Sequence, residues 1–308
     1  MTFSRLLPVR PFFFIPLFLF QSLILLCIAQ AGQTVEELYP GLASDALKWA
    51  TLAKLPKGTL LNSGSLLIKE SEITKAIKQS APAVRKQLTK NAFFILENMA
   101  TKRLLLQEAY KSGYKKEGDE DKTITKFLSE NVQVAGISEE ELKNFYIQIK
   151  EMMVWASFDQ IREDLKEYLA QQKKQEAIQQ YLQTLGQRTP IQVNEVWVKK
   201  QSISALDNPV DRARMSGKPS LIDFGATGCG PCDMMTPVLA NLEKKYKDKL
   251  NVLFVHVGQE QILGARFGIQ SIPIQVFFDK NGREVFRHVG FFPQTEIETK
   301  LAQMGLTN

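Results

Sequence analysis

Two cysteines, Cys229 and Cys232, stand two residues apart where a buried strand hands over to a helix. The apolar run 221–224 predicts the strand, and Met235, Val238, Leu239, Leu242 and Tyr246 recur at helical spacing after it. The first turn of a helix has unpaired N–H groups and a positive dipole end, both of which favour a thiolate over a thiol. Cys229 is therefore the candidate nucleophile. Cys232, one turn further in, is the candidate resolving thiol, near enough to attack a mixed disulfide formed on Cys229. Gly230 and Pro231 complete the motif, and a proline is tolerated in a first helical turn while stiffening the link.

The flanking residues sharpen this chemistry. Asp223 lies on the apolar strand, where burial is expected to raise its pKa and suit it to exchange a proton with Cys232. Downstream, Pro273 enters a second predicted strand, 275–278, and a proline there points to a special peptide bond, cis being one option, beside a site. A structural zinc half-site is the bland alternative. Zinc needs about four ligands, and apart from Cys27 the rest of the chain offers only His256 and His288, so no metal site is expected. Both histidines are expected to be ordinary strand residues.

At 308 residues, 44% hydrophobic and 23% charged, the chain is globular material long enough for about two domains. Its net charge of +6 is mild and scattered among acids, which argues against nucleic acid as a partner. Residues 1–31 read as an export signal: Arg5 and Arg10 are the basic region, 12–28 the apolar stretch, and Ala29-Gln30-Ala31 the cleavage site. The expected location is the periplasm. An uncleaved inner-membrane anchor is the alternative, because the apolar stretch is long for a signal, whereas lipidation at Cys27 is disfavoured by Leu26 before it. Cleavage would remove Cys27 and leave one close cysteine pair. In an oxidising compartment such a pair serves exchange rather than stapling.

Between residues 32 and 190 the pattern is mostly helical. A helix is expected over 45–55, a small hairpin over 59–68, a short helix capped by Ser71, and one long helix over 84–110 ending at Gly113. The charged run 115–122 reads as a solvated loop. Ser138 with Glu141 and Ser157 with Gln160 are capping boxes for two further helices, the second long and ended by Gly186 and Pro190. Residues 191–195 read as a linker.

From about residue 196 to 308 the chain resembles thioredoxin. The resemblance rests on Cys229-Gly230-Pro231-Cys232, on Ile222-Asp223-Phe224, on Pro237 in the following helix, on Ile272-Pro273, and on Gly290 after the last strand. It implies an α/β thioredoxin fold, a central sheet with helices on both faces. It also implies that Pro273 is cis and faces the sulfurs, with Ile272, Pro273 and Gly290 binding substrate and no cofactor beyond the redox-active disulfide. Gly228 and Gly225 stand where such proteins usually carry tryptophans, which predicts a thinner apolar rim and a freer backbone. Phe254 stands where many carry a lysine beside the buried aspartate, which should raise the pKa of Asp223 further.

Residues 59–198 resemble, less specifically, the helical chaperone part of SurA-type periplasmic proteins. The matching stretches are 60–68 leading into Glu70-Ser71-Glu72-Ile73, then 97–109, 137–142 and 169–182. That resemblance implies an all-α domain, over 32–190, that cradles unfolded polypeptide. Two functions follow. One is an exported protein-disulfide reductase or isomerase acting on unfolded or disulfide-bearing clients and fed by a transmembrane thiol reductant. The alternative is a periplasmic chaperone or assembly factor whose thioredoxin-like domain mainly binds polypeptide.

Overall fold

A computed structural model describes residues 32–306 apart from Ser65, Glu117, 151–155 and Gln270. The proposed export signal lies outside the described residues. In chain order the first part contains α1 (Val35–Leu38), a 3-10 turn (Ala46–Trp49), β1 (Thr51–Ala53), β2 (Thr59–Ser63), β3 (Leu66–Lys69), α2 (Glu70–Gln79), α3 (Pro82–Lys90), α4 (Ala92–Lys111), α5 (Glu120–Asn131), α6 (Glu139–Ile149) and α7 (Phe158–Arg188). It is largely helical, as expected.

Four expectations are corrected by tertiary pairing. The residues read as a linker form β4 (Gln192–Asn194), an inner strand of a sheet ordered β1-β4-β2-β3, with Val193 fully buried. Because Thr51 donates its N–H to Ile191 O at 2.9 Å and β1 runs parallel to β4, the helix expected over 45–55 shrinks to the 3-10 turn. The long helix breaks into α3 and α4 at Asn91, whose Nδ2 donates to Gln87 O at 2.9 Å in competition with helix continuation. The charged run gives way to α5, because Asp119 accepts from the N–H groups of Asp121 and Lys122 and so caps a helix.

Smaller corrections concern helix ends. Cap position at α2 belongs to Lys69, whose N–H donates to the Glu72 carboxylate at 2.9 Å, rather than to Ser71. Gly186 does not end α7 but lies within it, where a Cβ would collide with the backbone of Ala46. Both capping boxes form as expected.

The second part follows with α8 (Glu195–Ala205), α9 (Pro209–Arg214), β5 (Ser220–Gly225), α10 (Gly230–Lys245), β6 (Asn251–His256), α11 (Gln261–Arg266), β7 (Ile274–Phe278), β8 (Glu284–Val289) and α12 (Gln294–Gln303). Its sheet is ordered β6-β5-β7-β8, with β5 and β6 parallel and the other pairs antiparallel. Alternation along β5 sends Leu221 toward α10 and α12, where it packs with Met235, Leu242, Ile297 and Leu301. Ile222 and Phe224 point the other way, to Val210 of α9 and Leu263 of α11. The result is the expected sheet with helices on both faces. α8 belongs to the other core: Val198 and Ala205 pack with the helical part, and Trp197 stacks on Phe93.

Glu97 on α4 ties a loop to this helical core. It is 2% exposed and accepts the N–H groups of Ser44 and Asp45 at 2.8 and 2.9 Å. Burial, aided by the charge of Asp45, raises its pKa from 4.5 to about 7. The folded state then binds the extra proton, so the stabilisation is complete at acid pH and is lost as pH rises through 7. We expect Glu97→Gln to remove roughly 2–3 kcal/mol of the fall in stability between pH 5 and 8, read by urea unfolding at the two values. An unchanged pH dependence would refute the assignment.

Candidate active site

Cys229 caps α10: its backbone C=O accepts from Asp233 N at 2.9 Å, and the Cys232 N–H donates to its Sγ at 3.3 Å. The two cysteines form a disulfide, with Cα atoms 5.2 Å apart. Cys229 is partly exposed while Cys232 is 3% exposed, so an incoming group meets Cys229 first. Pro231 sits in the first turn, where its missing N–H costs no helix hydrogen bond.

Strand parity brings Asp223 beneath this pair. Residues two apart on β5 share a face, and a Cβ placed on Gly225 would lie 3.3 Å from Cys232 Sγ, so Asp223 faces the side on which Cys232 sits. Asp223 is fully buried; its Oδ1 accepts from Gln275 Nε2 at 2.7 Å, and its Oδ2 has no partner among the described residues. Burial lifts its pKa to about 6, with the Gln275 hydrogen bond pulling the other way. Phe254 is its register neighbour on β6, as the sequence suggested, and among the described residues no cation acts on the carboxyl.

The proposed substrate residues gather at the same end of the sheet. Ile272–Pro273 is cis, and Ile274 pairs with Phe224, which carries Pro273 to the end of β5 from which α10 departs. Gly290 donates its N–H to Pro273 O at 2.8 Å from a backbone with φ +94°. The expectation of a thinner rim needs correcting at Gly225 only, since a Cβ placed on Gly228 would meet nothing within 4 Å. Phe254 packs onto Gly225, with its Cε2 only 2.8 Å from a Cβ placed there. Gly228 has φ +79°, a turn that a larger side chain would strain.

Three contacts at this end escaped the sequence reading. Thr227 donates its N–H to His256 Nε2 at 3.2 Å, pinning the loop that leads into Cys229. Gln275 was legible only as a strand residue. Tyr168 of α7 brings its hydroxyl next to Ser271, the residue before Ile272, and accepts from Gln172 Nε2 at 2.7 Å. No local pattern signals any of these, since each depends on segments far apart in the chain. Among the described residues no group of three or more His, Cys, Asp or Glu could hold a metal ion.

Comparison with known proteins agrees with this geometry. The thioredoxin family profile matches residues 200–303. The thioredoxin of Alicyclobacillus acidocaldarius subsp. acidocaldarius is 36% identical over 103 residues, spanning 33% of this chain and 97% of that protein. The chain belongs to the thioredoxin family. Thioredoxin Y, chloroplastic, of Oryza sativa subsp. japonica is 34% identical over 102 residues, which are 33% of this chain and 58% of that one. The thioredoxin of Haemophilus influenzae is 38% identical over 85 residues, 28% of this chain and 78% of that one. This is a thioredoxin-family redox protein, an oxidoreductase of the thiol–disulfide class, with its thioredoxin domain in the last third of the chain.

Proposed function

We propose that this protein is an exported thiol–disulfide oxidoreductase that reduces or isomerises disulfides in client proteins held by its helical part. The observation that carries the reading is the partly exposed Cys229 at the start of α10, bonded to a buried Cys232, with Asp223 on the face beneath. The Cys229 thiolate attacks one sulfur of a client disulfide; the client S–S bond breaks, a Cys229–client bond forms, and the other client sulfur leaves as a thiolate. The Cys232 thiol then passes its proton to Asp223 Oδ2 and attacks Cys229. A Cys229–Cys232 bond forms, the Cys229–client bond breaks, and the second client sulfur departs with the electron pair. The client has gained two electrons and the pair has lost them, so a dithiol must restore it, here a transmembrane thiol reductant. Ile272, Pro273 and Gly290 are the residues proposed to hold the client chain across the sulfurs.

Support for client holding comes from Tyr168, whose contact with Ser271 brings α7 beside the Ile272–Pro273 loop. The periplasmic address rests on residues 1–31. The test is dithiothreitol-driven reduction of insulin, followed by turbidity: the full chain is expected to accelerate it at least tenfold, and equal rates with and without protein would end the proposal. If the Cys229→Ser, Cys232→Ser double variant prevents aggregation of an unfolded client as well as the wild type, holding is independent of redox chemistry.

A further inference from the structure

Asp223 is a buried acid with one hydrogen-bond donor and no cation, and that donor is a glutamine whose own carbonyl oxygen is also buried without a partner among the described residues. The arrangement follows from strand register. Asp223 on β5 stands opposite Gln275 on β7, which stands opposite His288 on β8, and Phe254 on β6 flanks Asp223 on the other side. Residues paired across strands share a face, so these four side chains form one row; Asp223, Gln275 and His288 lie buried under α10 and α12, whereas Phe254, on the edge strand, is half exposed. Most of that face is apolar, with Leu221, Phe277, Met235, Ile297 and Leu301 in contact. A fully buried amide in such a layer is costly unless it does something specific for the group it bonds.

We propose that Gln275 is a positioning residue for the thiol chemistry: its Nε2 anchors Asp223 Oδ1, so that the free Oδ2 is the oxygen presented to Cys232 as proton acceptor. The proposal rests on the proton role assigned to Asp223 above. It identifies what replaces a positive neighbour in this chain. An ammonium beside a buried carboxylate would hold it ionised at neutral pH, whereas a neutral amide supplies one hydrogen bond and leaves the acid poised to gain and lose a proton. Balance is kept with nothing added: the Cys232 S–H bond breaks, the Asp223 O–H bond forms, and the Gln275 N–H stays with nitrogen throughout.

Other groups on the face of Asp223 leave this role to Gln275. β6 contributes Phe254 and, two residues on, His256, which pairs with Gly225 rather than Asp223 and whose Nε2 accepts from the Thr227 N–H; α10 contributes Cys232 and Met235, and α12 contributes Ile297 and Leu301. His288, one strand beyond Gln275, has its pKa lowered by burial, stacks on Phe292 and uses Nε2 on Phe291 O. It is therefore neutral at physiological pH and bonded elsewhere.

The experiment measures the pH profile of the resolving step in the full chain, reacting the reduced protein with a disulfide probe and following release of the second thiol. Gln275→Met keeps side-chain volume and removes the donor. Its rising limb is expected to move to higher pH by about one unit, a tenfold slower step on the acid side, with an unchanged plateau. A folded Gln275→Met protein with the wild-type limb overturns the proposal. A second measurement needs no variant to fold: in the wild type, the Gln275 side-chain amide signals should titrate with the same midpoint as the Asp223 carboxyl carbon, and independent behaviour also overturns it. Asp223→Asn separates this idea from the one beneath it. If Asp223→Asn leaves the profile unchanged, the proton role of Asp223 fails; if it abolishes the limb while Gln275→Met does not move it, only the Gln275 assignment fails.

Discussion

Replacing Cys229 by serine is expected to bring insulin reduction down to the background of dithiothreitol alone, whereas Cys232→Ser should complete one round of attack and stop with the client still attached. The difference follows from exposure. Cys232 is 3% exposed and lies under the first turn of α10, so it cannot meet a folded client's disulfide, while Cys229 can. Once Cys229 has attacked, only a thiolate held within bonding distance releases the adduct at a useful rate, because an effective concentration set by a 5.2 Å Cα separation greatly exceeds that of free thiol. Cys232→Ser should therefore accumulate a species heavier by one client, visible on a non-reducing gel and removed by dithiothreitol. Such adducts with Cys229→Ser and none with Cys232→Ser would reverse the two roles. Activity retained in Cys229→Ser would remove the pair from the chemistry altogether.

The placement of these cysteines was legible because it depends on local geometry: two residues apart at the start of a helix leaves one sulfur partly exposed at the cap and buries the other in the first turn. Asp223 was legible for a similar reason, as an acid with apolar neighbours on a short strand has few fates other than burial. Phe254 came through as well, since it shares the register position of Asp223. Contacts set by long-range pairing did not. Gln275 looks like any polar residue in a strand until β5 and β7 are aligned, and the three residues of β4 are too few to carry a periodic signal against the Pro190 and Gly186 near them. The break at Asn91 was hidden because apolar spacing continues across it; only the side-chain bond to Gln87 O shows why the helix stops. Tyr168 was masked by the polar and apolar stripes of α7, which predict a helix but not what its flank lies against.

The boundary expected near residue 196 raises a separate question, and a buried ion-pair network answers it. Arg266 of α11, 2% exposed in its side chain, lies 3.2 Å from Asp211 Oδ2 on α9, itself 1% exposed. The same guanidinium donates to Ala205 O at 3.0 Å, to Asn91 Oδ1 at 3.3 Å and to Gly41 O at 2.8 Å, so one thioredoxin-domain side chain satisfies groups from the loop after α1, the start of α4 and the end of α8. Asp211 in turn accepts from Arg214 Nη1 at 2.9 Å and Asn208 Nδ2 at 2.6 Å. Removing one partner of a buried ion pair strands the other charge, a loss of about 3–5 kcal/mol. Asp211→Ala is expected to cost that much, a large part of a total folding free energy of about 5–15 kcal/mol. All three tryptophans, Trp49, Trp155 and Trp197, precede residue 200, whereas Cys232 reports on the thioredoxin domain. Because the network spans both, tryptophan emission and alkylation of reduced Cys232 should shift together to lower urea in Asp211→Ala and trace one transition. If tryptophan emission shifts and Cys232 protection does not, the thioredoxin domain stands on its own and the buried network is an interface between two separate folding units.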